Sequence, residues 1–208
     1  MPGSIVQDRK KRLVAESIVQ VIQAVFPGKA ASLCHVHAIV GANLAGVAFA
    51  REYRPVAGWA VIDTGAGHLV KLIDNNAFSS GVGGAYHCWI ESVEQRPDSR
   101  EAIDFSVRHN KEYVVNHRMA WNKASSPDYI WGLHRDVVLD GDLETLPARL
   151  PDDKIWVRES EEGKQWMAYH VAAHVNEYVK LTTLGLKILQ IQLEELHADL
   201  PQQADAHP

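Results

Sequence analysis

The chain has 208 residues with 46% hydrophobic and 23% charged side chains, a formal net charge of -5 and a pI near 6.1. That size and composition suit one packed globular domain, and the acidic balance argues against nucleic acid, whose phosphates favour a basic face. Two cysteines are too few for a disulfide scaffold, and no segment approaches the roughly 18 uninterrupted apolar residues of a membrane span.

In chain order, Val14, Ile18, Val21, Ile22 and Val25 recur at helical spacing, which predicts a first helix over Ile5 to Phe26, stopped by Pro27-Gly28. Ser32 is a candidate N-cap for a second helix from Leu33 to Tyr53. That helix is rich in small residues, including Gly41 and Gly46; glycine weakens a helix interior by about 1 kcal/mol, so a neighbour is expected to pack very close. After Pro55, Gly58 to Thr64 and His68 to Asp74 read as strands joined by the Gly65-Ala66-Gly67 turn. Asn75 to Gly84 reads as a glycine-rich loop, Ala85 to Ser92 as a strand and Glu101 to Val107 as another, with a turn at Arg96 to Ser99. Arg108 to Asp128 mixes helix and loop. Tyr129 to Val138 and Ile155 to Glu159 read as strands, the latter pairing with Trp166 to Val171 across a turn at Glu161-Glu162-Gly163. A long amphipathic helix from Ala173 to His197 closes a single domain over residues 1–200, and 201–208 is expected to be a disordered tail. The start of the chain has no signal-peptide pattern, so the expectation is a cytoplasmic protein with reduced cysteines and no membrane partner.

The chemistry concentrates at three residues. Cys34 falls in the first turn of the small-residue helix, where unpaired N–H groups and the helix dipole favour thiolate and can stabilise an oxyanion. His87 lies in the strand Tyr86-His87-Cys88-Trp89-Ile90-Glu91 and Asp104 in the next, Ala102-Ile103-Asp104-Phe105. An antiparallel pair brings imidazole and carboxylate to one face, where the carboxylate fixes the tautomer and supports imidazolium. Burial of Asp104 between Ile103 and Phe105 demands a partner, and His87 supplies one. Either residue alone reads as structural, His87 as a satisfied core histidine and Asp104 as a turn or edge residue; the three together favour the triad.

Together, Ser32-Leu33-Cys34-His35, His87-Cys88-Trp89-Ile90-Glu91 and Ala102-Ile103-Asp104-Phe105 resemble the transglutaminase-like branch of the papain-like cysteine hydrolase superfamily, and the chain is similar to a bacterial group within it. The resemblance covers roughly residues 30 to 107. It implies an α+β fold, a helix bearing Cys34 packed on an antiparallel sheet with extra terminal helices. It further implies acyl-transfer chemistry through a thioester, with Cys34, His87 and Asp104 catalytic, a peptide or small amide as substrate and no cofactor. Two departures stand out: Leu33 and His35 flank Cys34 where aromatic residues are frequent, and no side-chain oxyanion donor is evident beyond the indoles of Trp59 or Trp89.

Other groupings compete. Cys34, His37 and His87 form an alternative zinc-ligand set, whereas His35 and His37, two apart on a helix, point in different directions. Cys88 alternates with His87 and reads as core. His170 and His174 lack the glutamate of a metalloprotease helix and read as structural or surface residues. The C-terminal helix is apolar over much of its circumference. It suits a homodimer, hence a second reading as a non-catalytic dimeric binding protein on the same scaffold.

Overall fold

The computed structural model describes residues 2–79, 85–94 and 96–204. Helix α1 (Pro2–Val25) buries Val14, Ile18, Val21 and Ile22, four of the five positions its periodicity marks; the fifth, Val25 at its end, is exposed. Helix α2 (Cys34–Phe49) is apolar on every side and mostly buried. It stops where Ala50 takes a left-handed conformation at φ 49, four residues before the expected end. Strand β1 (Tyr53–Gly65) is followed by β2 (His68–Leu72), β3 (His87–Ser92) and β4 (Glu101–Asp104). Then come α3 (Asn110–Asn116), β5 (Ile130–Leu133), a single helical turn α4 (His134–Val137) and β6 (Trp156–Glu159). Helices α5 (Glu161–Ala173) and α6 (Val175–Ala204) complete the chain.

The strands form one antiparallel sheet in which β1 pairs with β2, β3 and β6, β3 with β4, and β4 with β5. Gly58 pairs with both His87 and Glu159, and Ala60 with both Leu72 and Val157. Since a strand has two edges, β6 holds one edge of β1 while β2 and β3 share the other, end to end. Their junction is tied by the Asp74 N–H donating to the Ala85 carbonyl at 3.0 Å. Helix α2 lies on β1 and β3, and α1 and α6 close over its far side. The glycines of α2 explain the proximity: a Cβ on Gly41 would stand 2.8 Å from Ile90 Cδ1 and 2.8 Å from Phe105 Cδ2. On the outer side Gly185 of α6 faces Leu44 just as closely, and the buried Ser17 hydroxyl joins α1 to α6 through Gln192 at 2.8 Å.

Several expectations change. β1 begins at Tyr53 rather than Gly58, running through Pro55. Proline is tolerated there because residues 53–57 pair only with β3, so one edge needs no donor. Trp166 to Val171 is helix, not strand. Ser160 caps α5 by accepting the Gly163 N–H at 2.9 Å, and Glu161 and Glu162 occupy its positive first turn. Gly163 is there because a Cβ would strike the Ala57 carbonyl oxygen. The stretch after Leu133 turns into α4 instead of continuing as strand, and β4 ends at Asp104. Helix α6 runs to Ala204, past the expected tail start, and 205–208 lie outside the described residues, as do 80–84 of the glycine-rich loop. Among the described residues no helix is long and apolar enough to cross a membrane.

Candidate active site

Cys34 is the first residue of α2, and the residue before it, Leu33, offers no side-chain cap. Ser32 does not cap the helix as expected; its hydroxyl donates back to the Lys29 carbonyl at 2.9 Å. The Val36 and His37 N–H groups donate to the Leu33 carbonyl at 2.9 and 3.1 Å, which leaves the N–H groups of Cys34 and His35 as the first-turn donors that could meet an oxyanion.

His87 opens β3 and Asp104 closes β4. Ile90 pairs with Ile103 and Glu91 with Ala102, so Trp89 stands opposite Asp104 and His87 lies diagonally across on the same face. His87 Nε2 meets Asp104 Oδ2 at 2.7 Å, both side chains buried. The other carboxylate oxygen, Oδ1, accepts the Ser106 N–H and the Ser106 hydroxyl, each at 2.8 Å. Burial would raise the Asp104 pKa, yet the imidazolium of His87 and the two Ser106 donors hold it below its usual value. With Nε2 committed to Asp104, Nδ1 is the ring nitrogen left to exchange a proton with a thiol.

Cys34, half-buried, and His87 line one cavity of about 390 Å³, together with Ser32, Tyr86, His109 and Tyr113. The electrostatics pair them as ions. The Cys88 thiol draws the Cys34 pKa well down; burial opposes this, and His35 and His87 add to the lowering. Burial would lower His87, but Asp104 beside it and the Cys34 thiolate outweigh that and push it up to about 9. Cys88 moves the opposite way, well up, because burial and the neighbouring thiolate both disfavour a second anion.

The expected indole donors are elsewhere. Trp89 Nε1 donates to Glu91 at 3.1 Å, and Trp59 lines a separate cavity beside Arg158 and Glu159. The alternative zinc set also dissolves: among the described residues no three His, Cys, Asp or Glu side chains gather so as to hold a metal ion. His37 turns instead to His109, ring centroids 5.2 Å apart, in a buried pocket. Burial and His109 lower its pKa to about 3, so it is a neutral core residue. His35 points to Trp166 and His170, confirming that it and His37 diverge. Sequence reasoning missed Ser106, although Asp104-Phe105-Ser106 carries the signal of an aspartate bonding its own backbone two residues on.

No family model and no curated protein matches the chain. A solved structure, described as the crystal structure of a genomics target, is similar to it with a TM-score of 0.55 at 14% identity, covering 88% of this chain and 78% of that one. A likeness at that identity bears on the fold alone. The chain thus shares an α+β architecture, an antiparallel sheet with several helices, with a protein whose description carries no chemistry.

Proposed function

We propose that the protein is a cysteine hydrolase or acyltransferase with a transglutaminase-like core, acting on the amide bond of a peptide or small amide. The observation that carries this reading is the buried 2.7 Å bond between His87 and Asp104 in the cavity that also holds Cys34 at an uncapped helix N-terminus. In the reaction the Cys34 thiolate attacks the carbonyl carbon, forming a C–S bond and an oxyanion that the Cys34 and His35 N–H groups at the start of α2 receive. The oxyanion collapses, the C–N bond breaks, and His87 delivers its Nδ1 proton to the departing amine. Water, deprotonated by His87, then attacks the thioester to give the acid and regenerate the thiolate; an amine in its place gives transfer. Asp104 stays ionised and holds the ring.

The test is the rate of Cys34 alkylation by iodoacetamide across pH, in the wild type and in His87→Ala. A reactive thiolate persisting below pH 7, and lost in the variant, is the expected outcome. A thiol titrating near 8.5 in both proteins contradicts the reading. The second reading, a non-catalytic dimer, draws on Val175, Val179 and Ile191 of α6, which are 50%, 58% and 58% exposed. An ordinary thiol together with a dimer in sedimentation would favour it.

A further inference from the structure

A second cavity, about 590 Å³, opens between the end of α1, the start of α2 and α6. Its walls are mostly apolar, with Val25, Phe26, Leu33, Val36, Leu181 and Leu184, and carry Glu177, Lys180 and His174 beside them. Its position relative to Cys34 is what matters. Leu33 and His35, the two residues flanking the nucleophile, both line it, whereas Cys34 itself lines the smaller cavity with His87. A row of rings runs from one cavity to the other. Tyr86 meets Trp166 at 5.2 Å, Trp166 stacks on His170 at 4.6 Å, and His170 meets His35 at 5.1 Å. The row is fixed at its far end by the Tyr178 hydroxyl, 2.8 Å from His170 Nε2. His35 lines the larger cavity, and its Nδ1 is buried and has no partner among the described residues.

The chemistry assigns the two cavities to the two halves of a substrate. His87 must reach the leaving group to protonate it, so the leaving group occupies the cavity His87 lines. The acyl group bonded to the sulfur extends away from the departing atom, toward the side that Leu33 and His35 form. We propose that the larger cavity is an acyl-binding site, and that the substrate is an amide or ester of an apolar acid, medium-chain or aryl. This inference rests on the catalytic reading of Cys34 above. A cavity of this size and lining suits a small ligand buried over most of its surface. Each methylene taken out of water strengthens binding about fourfold.

p-Nitrophenyl acetate, butyrate, octanoate and dodecanoate, kept below micelle-forming concentrations, provide the test. The thiolate forms a C–S bond to the acyl carbon, nitrophenolate leaves with the C–O electrons, and water releases the carboxylic acid. kcat/KM and the intact mass of acylated protein are read for the wild type, Val25→Trp at the exposed mouth and Leu184→Trp on the α6 wall. The expected result is a gain of roughly 250-fold from butyrate to octanoate in the wild type, four methylenes apart. That gain shrinks at least tenfold in either variant whose circular dichroism matches the wild type. Acylation of Cys34 that is indifferent to chain length, or a chain-length gain unaltered in both tryptophan variants, overturns the proposal. Failure of every ester to acylate Cys34 sinks the catalytic reading itself, and this inference with it.

Discussion

Replacing Asp104 by Asn keeps the shape of the carboxylate and changes what it can donate. Ser106 presents two donors to one oxygen of residue 104, at 2.8 Å each, so the Asn carbonyl oxygen must occupy that position and its NH2 must face His87 Nε2. An NH2 group donates there; Nε2 has to accept, and the imidazole proton moves to Nδ1. The neutral ring then shows the thiol an N–H where a lone pair is required. The electrostatic loss is comparable in effect. Burial works against the charge, but Asp104 and Cys34 hold His87 at about 9 against an ordinary 6.5, favouring imidazolium by about 3 kcal/mol. Without that cation Cys34 loses one of the groups that lower it, beside Cys88 and His35, and rises toward the ordinary thiol range, whose limit near 8.5 leaves about 0.3% thiolate at pH 6. A less acidic thiolate is intrinsically more nucleophilic, so iodoacetamide alkylation at pH 6 should fall about 30- to 100-fold. The assay is alkylation rate against pH, read by intact mass, with circular dichroism confirming the fold. Superimposable curves for wild type and Asp104→Asn would refute the reasoning.

The same pair sets a pH window for stability. His87, raised, contributes fully below its ordinary 6.5 and loses that contribution as pH rises through about 9; Asp104, lowered, contributes above its ordinary 3.8 and loses it as pH falls further. The difference in Tm between wild type and Asp104→Asn should therefore be widest between those two ordinary values and narrow toward pH 9, as measured by calorimetry. Gly41→Ala should destabilise by about 1–3 kcal/mol through overpacking, despite the helix-propensity gain of about 1 kcal/mol, because Ile90 and Phe105 are themselves fully buried; urea unfolding checks it. Ser160→Ala removes the cap of α5 and should lower stability by about 1 kcal/mol, visible in the same assay with alkylation of Cys34 unaffected.

The sequence reveals most where a signal is local. The order of Cys34, His87 and Asp104, the Arg96 to Ser99 turn and the small residues of α2 are enough to anticipate a helix against an antiparallel pair, and the 2.7 Å bond follows from strand parity alone. It fails where a distant neighbour decides. Pro55 reads as a strand breaker unless one knows that β6 reaches β1 only at Gly58. Gly163 reads as a turn unless one knows that the Ala57 carbonyl fills the space where a side chain would be. Ser32 looks like a cap, but its hydroxyl finds the Lys29 carbonyl first. The cavity between the end of α1, the start of α2, α5 and α6 was invisible for the same reason: its walls come from four helices, the first pair far from the second in sequence.

Helix α2 is gripped from both sides, by Ile90 and Phe105 against Gly41 and by Gly185 against Leu44, and it carries the nucleophile at its tip. Such a rod transmits displacement along its length. Gly41 lies seven residues from Cys34, about 10 Å along the axis, so a methyl group wedged beneath the middle tilts the end that holds the sulfur. Reactivity and core volume are thereby mechanically linked. Suppressors of a bulky substitution at Gly41 should arise as cavity-making replacements at Ile90 or Phe105, far from any reacting atom, and should restore thiol reactivity together with stability.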